Sequence, residues 1–175
     1  MNNIMVDIET LGTAPGSVVL SIGAVYFGPE GLGEKFYEVI DKRDSLERGL
    51  TTDKSTVDWW AKQSADARKV LIDAVTDDVA LPLDEVLKRF SVYVKPGCKV
   101  WGNGAGFDNP LIEALYRNVG KPAPWKFWDS RCFRTLKALF PINETVKKVV
   151  AHNALQDAID QAKLAVKILA NIKDK

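Results

Sequence analysis

Residues 4–10, Ile-Met-Val-Asp-Ile-Glu-Thr, form an apolar run that is interrupted by two acids. Since alternate side chains of a strand point to the same face, a strand here sends Asp7 and Glu9 to one side and Val6 and Ile8 to the other. An unpaired buried carboxylate is costly, so a central strand seldom carries two on one face. A divalent cation, which prefers oxygen ligands, would neutralise the pair. A solvated strand face is the alternative explanation, because Asp-x-Glu is also common by chance.

The composition is that of a globular protein with no strong charge. The chain has 175 residues, of which 46% are hydrophobic, and its formal net charge is +1. This length supports one sizeable core, and the small charge argues against general duplex binding while leaving open an enzyme that binds one strand end. Cys98, Cys132 and a single histidine form no zinc-site spacing. Neither a signal peptide nor a membrane-length apolar run is recognisable, so we expect a cytoplasmic protein without membrane partners.

The first forty residues predict an antiparallel meander. Three segments are rich in β-branched and aromatic residues and are separated by short turns that contain Gly and Pro. These predicted strands are 4–10, 17–27 and 35–40. From Asp41 to about Pro96 the apolar residues repeat at helical spacing instead. The expected helix starts in this part are Ser55 or Thr56, Ser64, and Pro82.

The second half of the chain predicts two more strands and three more helices. Residues 99–101 are expected to form a strand that ends in a glycine-rich loop at 102–108, and Asn109 with Pro110 is expected to start the next helix. The elements expected after this helix are a strand at 125–129, a helix at 130–140 and a loop at 141–144. Together these elements predict an α/β fold, a mixed five-stranded sheet flanked by helices, in a single domain over residues 1–175.

The start of the last helix is the clearest local signal. Asn153, with Gln156 three positions later, resembles a capping box, and the apolar residues that follow repeat at the period of a core-facing helix. If Asn153 is the cap, His152 lies outside the helix on a loop. It can then approach a shared site independently of Asp157, which lies in the first helical turn.

Five side chains are candidates for one catalytic site. Asp7 and Glu9 come from the first strand, Asp108 from the end of the glycine-rich loop, and His152 and Asp157 from the start of the last helix. Each has an ordinary explanation, such as an acid that interacts with a helix N-terminus or a surface histidine. Together, four carboxylates match the charge of two divalent cations, which lie about 3.5–4 Å apart in sites that carry out phosphoryl displacement. A histidine within reach of the attacking water would serve as general base.

These residues resemble the three motifs of the DEDDh family of 3′→5′ exonucleases, which have a ribonuclease-H-like fold. The motifs are Asp7-x-Glu9, Asp108 after an Asn/Gly/Phe stretch, and His152-x-x-x-x-Asp157, and they span nearly the whole chain in the family's order. The resemblance implies that the four acids bind two Mg²⁺ or Mn²⁺ ions and that His152 is the general base. The nearest relatives it implies are small phage and bacterial enzymes of the RNase T type.

The same resemblance implies contacts with the terminal nucleotide. Leu11 would wedge beside the last base and Phe107 would pack against it, since aromatic faces stack on any base. Residues 59–64, Trp-Trp-Ala-Lys-Gln-Ser, resemble a segment of RNase T-like exonucleases, which adds Trp60 and Gln63 as substrate candidates. One of Trp59 and Trp60 is expected in the core and the other partly exposed.

Two features of the sequence are less clear. Asn103 stands where the second motif often carries histidine, and its amide can still bind substrate or backbone. Arg131 and Arg134 either contact phosphates or pair with acids on a helix surface.

The sequence therefore predicts a metal-dependent exonuclease that hydrolyses phosphodiester bonds at the 3′ end of single-stranded DNA or RNA. A nucleic-acid-binding module that has lost catalysis, a ribonuclease-H-like endonuclease and an unrelated α/β binding protein are the alternatives. No residue can be assigned to reading the 2′ position, so DNA and RNA are not distinguished. RNase T-like relatives are often dimers, so a second copy of the chain is an implied partner, with the oligomeric state left open.

Overall fold

The structure, a computed structural model, describes residues 1–142 and 152–173, without the side chain of Lys173. Its strands are β1 (Asn3–Thr10), β2 (Val19–Gly28), β3 (Gly31–Ile40), β4 (Ala80–Leu81), β5 (Lys99–Gly102) and β6 (Ser130–Cys132). Its helices are α1 (Lys42–Glu47), α2 (Lys54–Trp60), α3 (Ala65–Asp73), α4 (Leu83–Tyr93), α5 (Asp108–Asn118), α6 (Phe133–Leu139) and α7 (Ala154–Lys173), with a short 3₁₀ turn at Phe127–Asp129. None of the helices within these residues is long and apolar enough to cross a membrane.

The strands form one mixed sheet in the order β4-β3-β2-β1-β5-β6. The predicted antiparallel meander of β1, β2 and β3 is confirmed, and β5 lies parallel to β1 on its other side. The predicted α/β class is confirmed, with six strands instead of five. The additional strand, β4, is two residues long and pairs parallel to the end of β3. So short a strand carries no periodicity that a sequence pattern can reveal.

The prediction of a strand at 125–129 was wrong. Residues Phe127–Asp129 form the 3₁₀ turn, and the edge strand β6 follows it, where a helix was predicted to have begun already. Trp125 is buried, and its indole N–H donates to Glu113 and to the Ser130 hydroxyl. Trp125 therefore reflects packing beneath this turn, whereas Phe127 and Trp128 are exposed on it. Residues 143 and 144 of the predicted loop lie outside the described residues.

Two predicted helix caps were also wrong. Asp53, two residues before Ser55, caps α2, and its carboxylate accepts from the Ser55 backbone N–H. Helix α5 starts at Asp108, so Asn109 lies inside its first turn and donates from its amide to the Val100 carbonyl 2.9 Å away. Pro110 is tolerated there because N–H groups of a first helical turn have no helical acceptor. By contrast, Ser64 caps α3 as predicted.

The two faces of the sheet carry separate cores, and β1 contributes to both. Ile4, Val6 and Ile8 belong to a large core on one face, whereas Met5 packs in a second core with α6 and α7. Asp7 and Glu9 alternate in phase with Met5, so they face α7, as the period of two predicts. Buried alanines in α7 let the helix approach the sheet closely: Ala154, Ala158, Ala162 and Ala165.

Gly23 brings the start of α7 against the sheet beside the acids. It pairs with Asp7 across the antiparallel ladder of β1 and β2. A Cβ atom on Gly23 would lie 2.2 Å from the carbonyl carbon of Ala154 and from the backbone nitrogen of Leu155. Only a residue without a side chain permits this approach. The residues immediately around Ala154 are thereby held next to Asp7 and Glu9.

Candidate functional site

Asp7 and Glu9 project from β1 towards the first turns of α7. Glu9 is buried and Asp7 is half-buried, with its Oδ1 accepting a hydrogen bond of 2.8 Å from the side-chain amide of Gln161. Burial raises the pKa of Asp7 well above its ordinary value, and the charges of Asp108, Glu9 and Asp157 raise this pKa further. The Gln161 hydrogen bond opposes the shift. Three other acids therefore disfavour the ionised form of Asp7.

Asp108 is held rigidly at the start of α5. Its Oδ2 accepts from the Asn103 backbone N–H at 2.7 Å, and a Cβ atom on Gly102 would lie only 2.9 Å from the Asp108 Cβ. Burial raises the pKa of Asp108 to about 6, despite hydrogen bonds from the backbone of Asn103, Asp108 and Ile8 and the nearby charge of Arg134. The glycine-rich loop thus fixes a buried carboxylate next to the end of β1.

His152 and Asp157 lie on either side of the α7 cap. Asn153 accepts from the Gln156 backbone N–H through its side chain at 3.0 Å, which confirms the predicted cap. His152 precedes it with φ of 61°, in the left-handed region that residues other than glycine seldom adopt. Asp157 is buried in the first turn. Ligand atoms of Glu9, His152 and Asp157 all lie within 4.8 Å of one another.

The side chains of Asp7, Glu9, His152 and Asp157 border a cavity of about 460 Å³. One wall of the cavity comes from α2, where the Trp59 ring meets the His152 ring edge-on with 4.8 Å between centroids. Trp59 is 41% exposed, whereas Trp60 is 2% exposed and donates from its indole N–H to the Thr10 carbonyl at 2.8 Å. The complete lining is Asp7, Ile8, Glu9, Thr10, Thr13, Ser55, Thr56, Trp59, Trp60, Phe107, His152 and Asp157.

The structure brings together most of the residues singled out from the sequence. Asp7, Glu9, Phe107, Trp60, His152 and Asp157 border the cavity, and Asp108 lies buried close enough to raise the pKa of Asp7.

Three substrate candidates lie outside the lining. Leu11 is 2% exposed and packs in the large core, and Gln63, which follows the end of α2, donates from its amide to the Trp59 carbonyl. The Asn103 backbone supports Asp108, while its buried side-chain oxygen accepts no hydrogen bond from the described residues.

The two arginines occupy different positions. Arg131 donates to the carbonyls of Trp128 and Ser130 at its own turn. Arg134 is exposed near Gly104 and lowers the pKa of Asp108 by its charge.

Sequence reasoning missed Gln161 as part of this site. It lies four positions after Asp157, so the two side chains share one face of α7, and this spacing was the available signal. Trp59 was considered only as a packing alternative to Trp60, although it is the more exposed of the two at the cavity.

The donor set suits a hard divalent cation. The side chains that converge here present mainly carboxylate oxygens, which Mg²⁺ and Mn²⁺ prefer, and one imidazole. Two oxygens bound to one Mg²⁺ at about 2.1 Å each lie at most about 4.2 Å apart. The spacing of up to 4.8 Å between Glu9, His152 and Asp157 atoms is therefore close to what one cation requires. A cation would also relieve the repulsion that raises the Asp7 pKa.

Comparison with known proteins gives matches that are described as exonucleases. The family model described as "3′-5′ exoribonuclease Rv2179c-like domain" matches residues 2–169. An exodeoxyribonuclease of Enterobacteria phage T4 is 26% identical over 194 aligned positions, which cover 90% of this chain and 84% of that protein.

Solved structures show the same fold. Exonuclease X, solved with 5′ overhanging duplex DNA, superimposes with a TM-score of 0.58 at 15% identity, over 96% of this chain and 91% of that one. The nuclease domain of 3′hExo, a DEDDh family member bound to rAMP, gives 0.58 at 14% identity with the same coverage of 96% and 91%. The sheet with its flanking helices is thus the fold of ribonuclease-H-like exonucleases.

Proposed function

Because the chain belongs to the family of 3′-5′ exoribonuclease Rv2179c-like domains, we propose that it removes nucleotides from the 3′ end of single-stranded DNA or RNA by a two-metal mechanism. The chain is an exonuclease of the DEDDh type, and nucleic acid is its substrate. The observation that carries the proposal is the meeting of Asp7, Glu9, His152 and Asp157 around one cavity. These residues come from β1 and from the start of α7, 143 or more positions apart in the chain.

Four acids would hold the cations: Asp7, Glu9, Asp108 and Asp157. Their carboxylates match the ligand preference and the summed charge of two Mg²⁺ or Mn²⁺ ions. When bound, such ions polarise the scissile phosphate and lower the pKa of the attacking water. Asp108 comes from the start of α5, where the Asn103 backbone N–H holds its carboxylate, and Asp157 comes from the first turn of α7.

His152 would accept the proton of the attacking water. It lies before the Asn153 cap of α7 and lines the cavity, where its ring meets the Trp59 ring edge-on with 4.8 Å between centroids. An imidazole can accept a proton at neutral pH and release it again. The ligand atoms of His152, Glu9 and Asp157 lie within 4.8 Å of one another, so the ring is placed beside two carboxylates.

The cavity would hold the terminal nucleotide. About 460 Å³ lies within the range of small-ligand sites, roughly 300–1,000 Å³. Phe107 and Trp59 present aromatic surface there, which suits bases of any sequence. An aromatic wall next to an acidic floor favours a base on one side and a cation-bridged phosphate on the other. Leu11 supports this wall only from the core, so we assign direct base contact to Phe107 and Trp59 instead.

The relatives leave the sugar preference open, since the family description is of an exoribonuclease and the phage relative is an exodeoxyribonuclease. Matched DNA and RNA oligomers, single- and double-stranded, with a 5′ label and either a free or a blocked 3′ end, test the proposal. We expect a ladder shortened from the 3′ end, only with Mg²⁺ or Mn²⁺ and only with a free 3′ end.

Internal cuts in 3′-blocked substrate would support an endonuclease instead. Binding without any cleavage, at all divalent ions tried, would support an inactive module. The matched control is Asp7→Asn, which keeps the size of the side chain and removes the charge. It should abolish turnover while leaving the circular dichroism spectrum unchanged.

A further inference from the structure

We propose that Gln161 is a positioning residue that fixes the Asp7 carboxylate for cation binding. The inference rests on the proposed function, because it assigns Gln161 a task at the same site. It goes beyond that function in naming a residue outside the resemblance to known motifs. The observation that supports it most directly is the 2.8 Å hydrogen bond from the Gln161 side-chain nitrogen to Oδ1 of Asp7.

The geometry determines which end of the Gln161 amide faces Asp7. An ionised carboxylate only accepts hydrogen bonds, so the NH₂ end of the amide must face it. With Oδ1 accepting from Gln161, Oδ2 of Asp7 stays available to a cation. Because Gln161 lies one helical turn after Asp157, α7 sets both the second carboxylate and the donor that orients the first.

Charge explains why an amide is suited to this position. Asp7 is repelled by Asp108, Glu9 and Asp157, and repulsion of this kind favours rotation of its carboxylate away from the cluster. A lysine here would hold the carboxylate but would also compete with a cation for it. A neutral donor orients Asp7 and leaves its charge available.

A second, independent feature points the same way. The Oε1 atom of Gln161 is buried and accepts no hydrogen bond from any residue that the structure describes. Leaving a buried acceptor without a donor costs roughly 1–3 kcal/mol, so such groups are rare unless a water or ligand supplies the donor. Oε1 therefore suits an ordered water in the loaded site, which would tie Gln161 to both Asp7 and the solvent around the cations.

The chain supplies a matched control on the same helix. The side chain of Gln156 also donates to an acid, Asp160, at 3.0 Å, but Asp160 does not border the cavity. If Gln161 served only to attach α7, replacing either glutamine would affect stability alone. A positioning role predicts that only the Gln161 variant changes the affinity for metal.

The test compares Gln161→Met with Gln156→Met, since methionine has a similar length and no amide. Mn²⁺ binding is measured on folded protein by isothermal titration calorimetry and by electron paramagnetic resonance of free Mn²⁺. We expect about 10–100-fold weaker Mn²⁺ binding in Gln161→Met, the usual effect of removing a partner of a metal ligand. In Gln156→Met we expect the Mn²⁺ affinity to change less than about twofold. At high Mn²⁺ concentration we expect the rate of nucleotide release by Gln161→Met to recover in part.

The outcomes separate this inference from the proposed function. Wild-type protein that binds no Mn²⁺ would overturn both. Wild-type protein that binds Mn²⁺, with equal affinity in Gln161→Met, would overturn the positioning role and leave the proposed function standing. If Gln161→Met does not fold, Gln161→Asn keeps the amide but withdraws it by one methylene, and the same loss of Mn²⁺ affinity is expected. Unchanged affinity in that variant would equally refute the inference.

Discussion

Replacing Gly23 by alanine tests whether the approach of α7 to β2 creates the active site. The new Cβ would lie 2.2 Å from the Ala154 carbonyl carbon and the Leu155 backbone nitrogen, and 2.5 Å from the Ala154 carbonyl oxygen. Ordinary contact begins at 3.4 Å, so the start of α7 must move outward by about 1.2 Å. All three of these atoms belong to backbone, which cannot give way by rotating a side chain.

The expected magnitude has two parts. Overpacking a well-packed contact of this kind typically costs about 1–3 kcal/mol of folding free energy. The same shift moves His152 and Asp157, which lie on either side of Ala154, relative to Glu9 on the sheet. A misplacement of about 1 Å at a reacting centre can lower the rate about 100-fold. We therefore expect Gly23→Ala to lose far more activity than its loss of stability explains.

The assay measures both quantities on the same preparations. Urea unfolding gives the free energy of unfolding, and release of label from a 3′-labelled oligomer gives the rate, at a temperature where the variant is almost entirely folded. Gly28→Ala is the matched control, because it lies on the same strand and its Cβ would meet only the flexible carboxylate of Glu30. Near-normal activity and stability are expected there.

Two results would refute the reasoning. Gly23→Ala with wild-type stability and rate would show that α7 does not need the close approach. A stability loss with an unchanged rate per folded molecule would show that the approach matters for packing and not for placing the catalytic groups.

The remaining predictions concern the proposed proton acceptor His152, the buried acid Asp108 and the two tryptophans Trp59 and Trp60. His152→Ala should lower the rate about 10²–10⁴-fold, the range for a general base, while Mn²⁺ affinity from calorimetry stays within a few-fold; a parallel loss of Mn²⁺ binding would make His152 a ligand instead. For Asp108, the pKa of about 6 in the folded state lies above its ordinary 3.8, so between these values the folded state holds a proton that the unfolded state has lost. The Asp108 carboxyl should therefore account for a loss of up to about 3 kcal/mol of stability in the metal-free protein as pH rises from 4 to 7, and urea unfolding at the two pH values should show a smaller loss in Asp108→Asn than in the wild type; equal losses would contradict it. Trp60→Ala should cost about 3–5 kcal/mol of stability as a buried aromatic. Trp59→Ala should instead weaken oligomer binding by about 1–3 kcal/mol in a filter or fluorescence titration with little change in the unfolding midpoint, and the reverse pattern would show that their roles are exchanged.

The sequence predicts best what depends on local periodicity. The period of two in β1 places Asp7 and Glu9 on one face without knowledge of any partner. The Asn153 cap follows from residues three positions apart, and it separates His152 from Asp157 correctly. In both cases the information lies within one turn or one strand, where backbone geometry leaves few choices.

Features set by distant contacts were not predictable in this way. Asp53 caps α2 in place of Ser55, although both residue types cap helices well, because the Asp53 backbone N–H is already bound by the Leu11 carbonyl after β1. Trp59 and Trp60 give identical local signals, and only the contact of Trp60 with the Thr10 carbonyl decides which is buried. The strand β4 exists because the end of β3 offers it a partner.

The acidic cluster itself argues that this fold is built around a bound charge. Burial raises the pKa of Asp7 and of Asp108, and the charges of nearby acids raise the Asp7 pKa further, so in the metal-free protein these groups oppose folding at neutral pH. A domain that needed only stability would carry apolar residues at the two positions, since Met5 on the same face of β1 packs well against α7. Here the sheet, the start of α5 and α7 bring acids into the cluster, and hydrogen bonds from the Gln161 amide and the Asn103 backbone hold Asp7 and Asp108 there. A cation bound to the folded state would offset the repulsion, because binding to the folded state alone adds its free energy to stability.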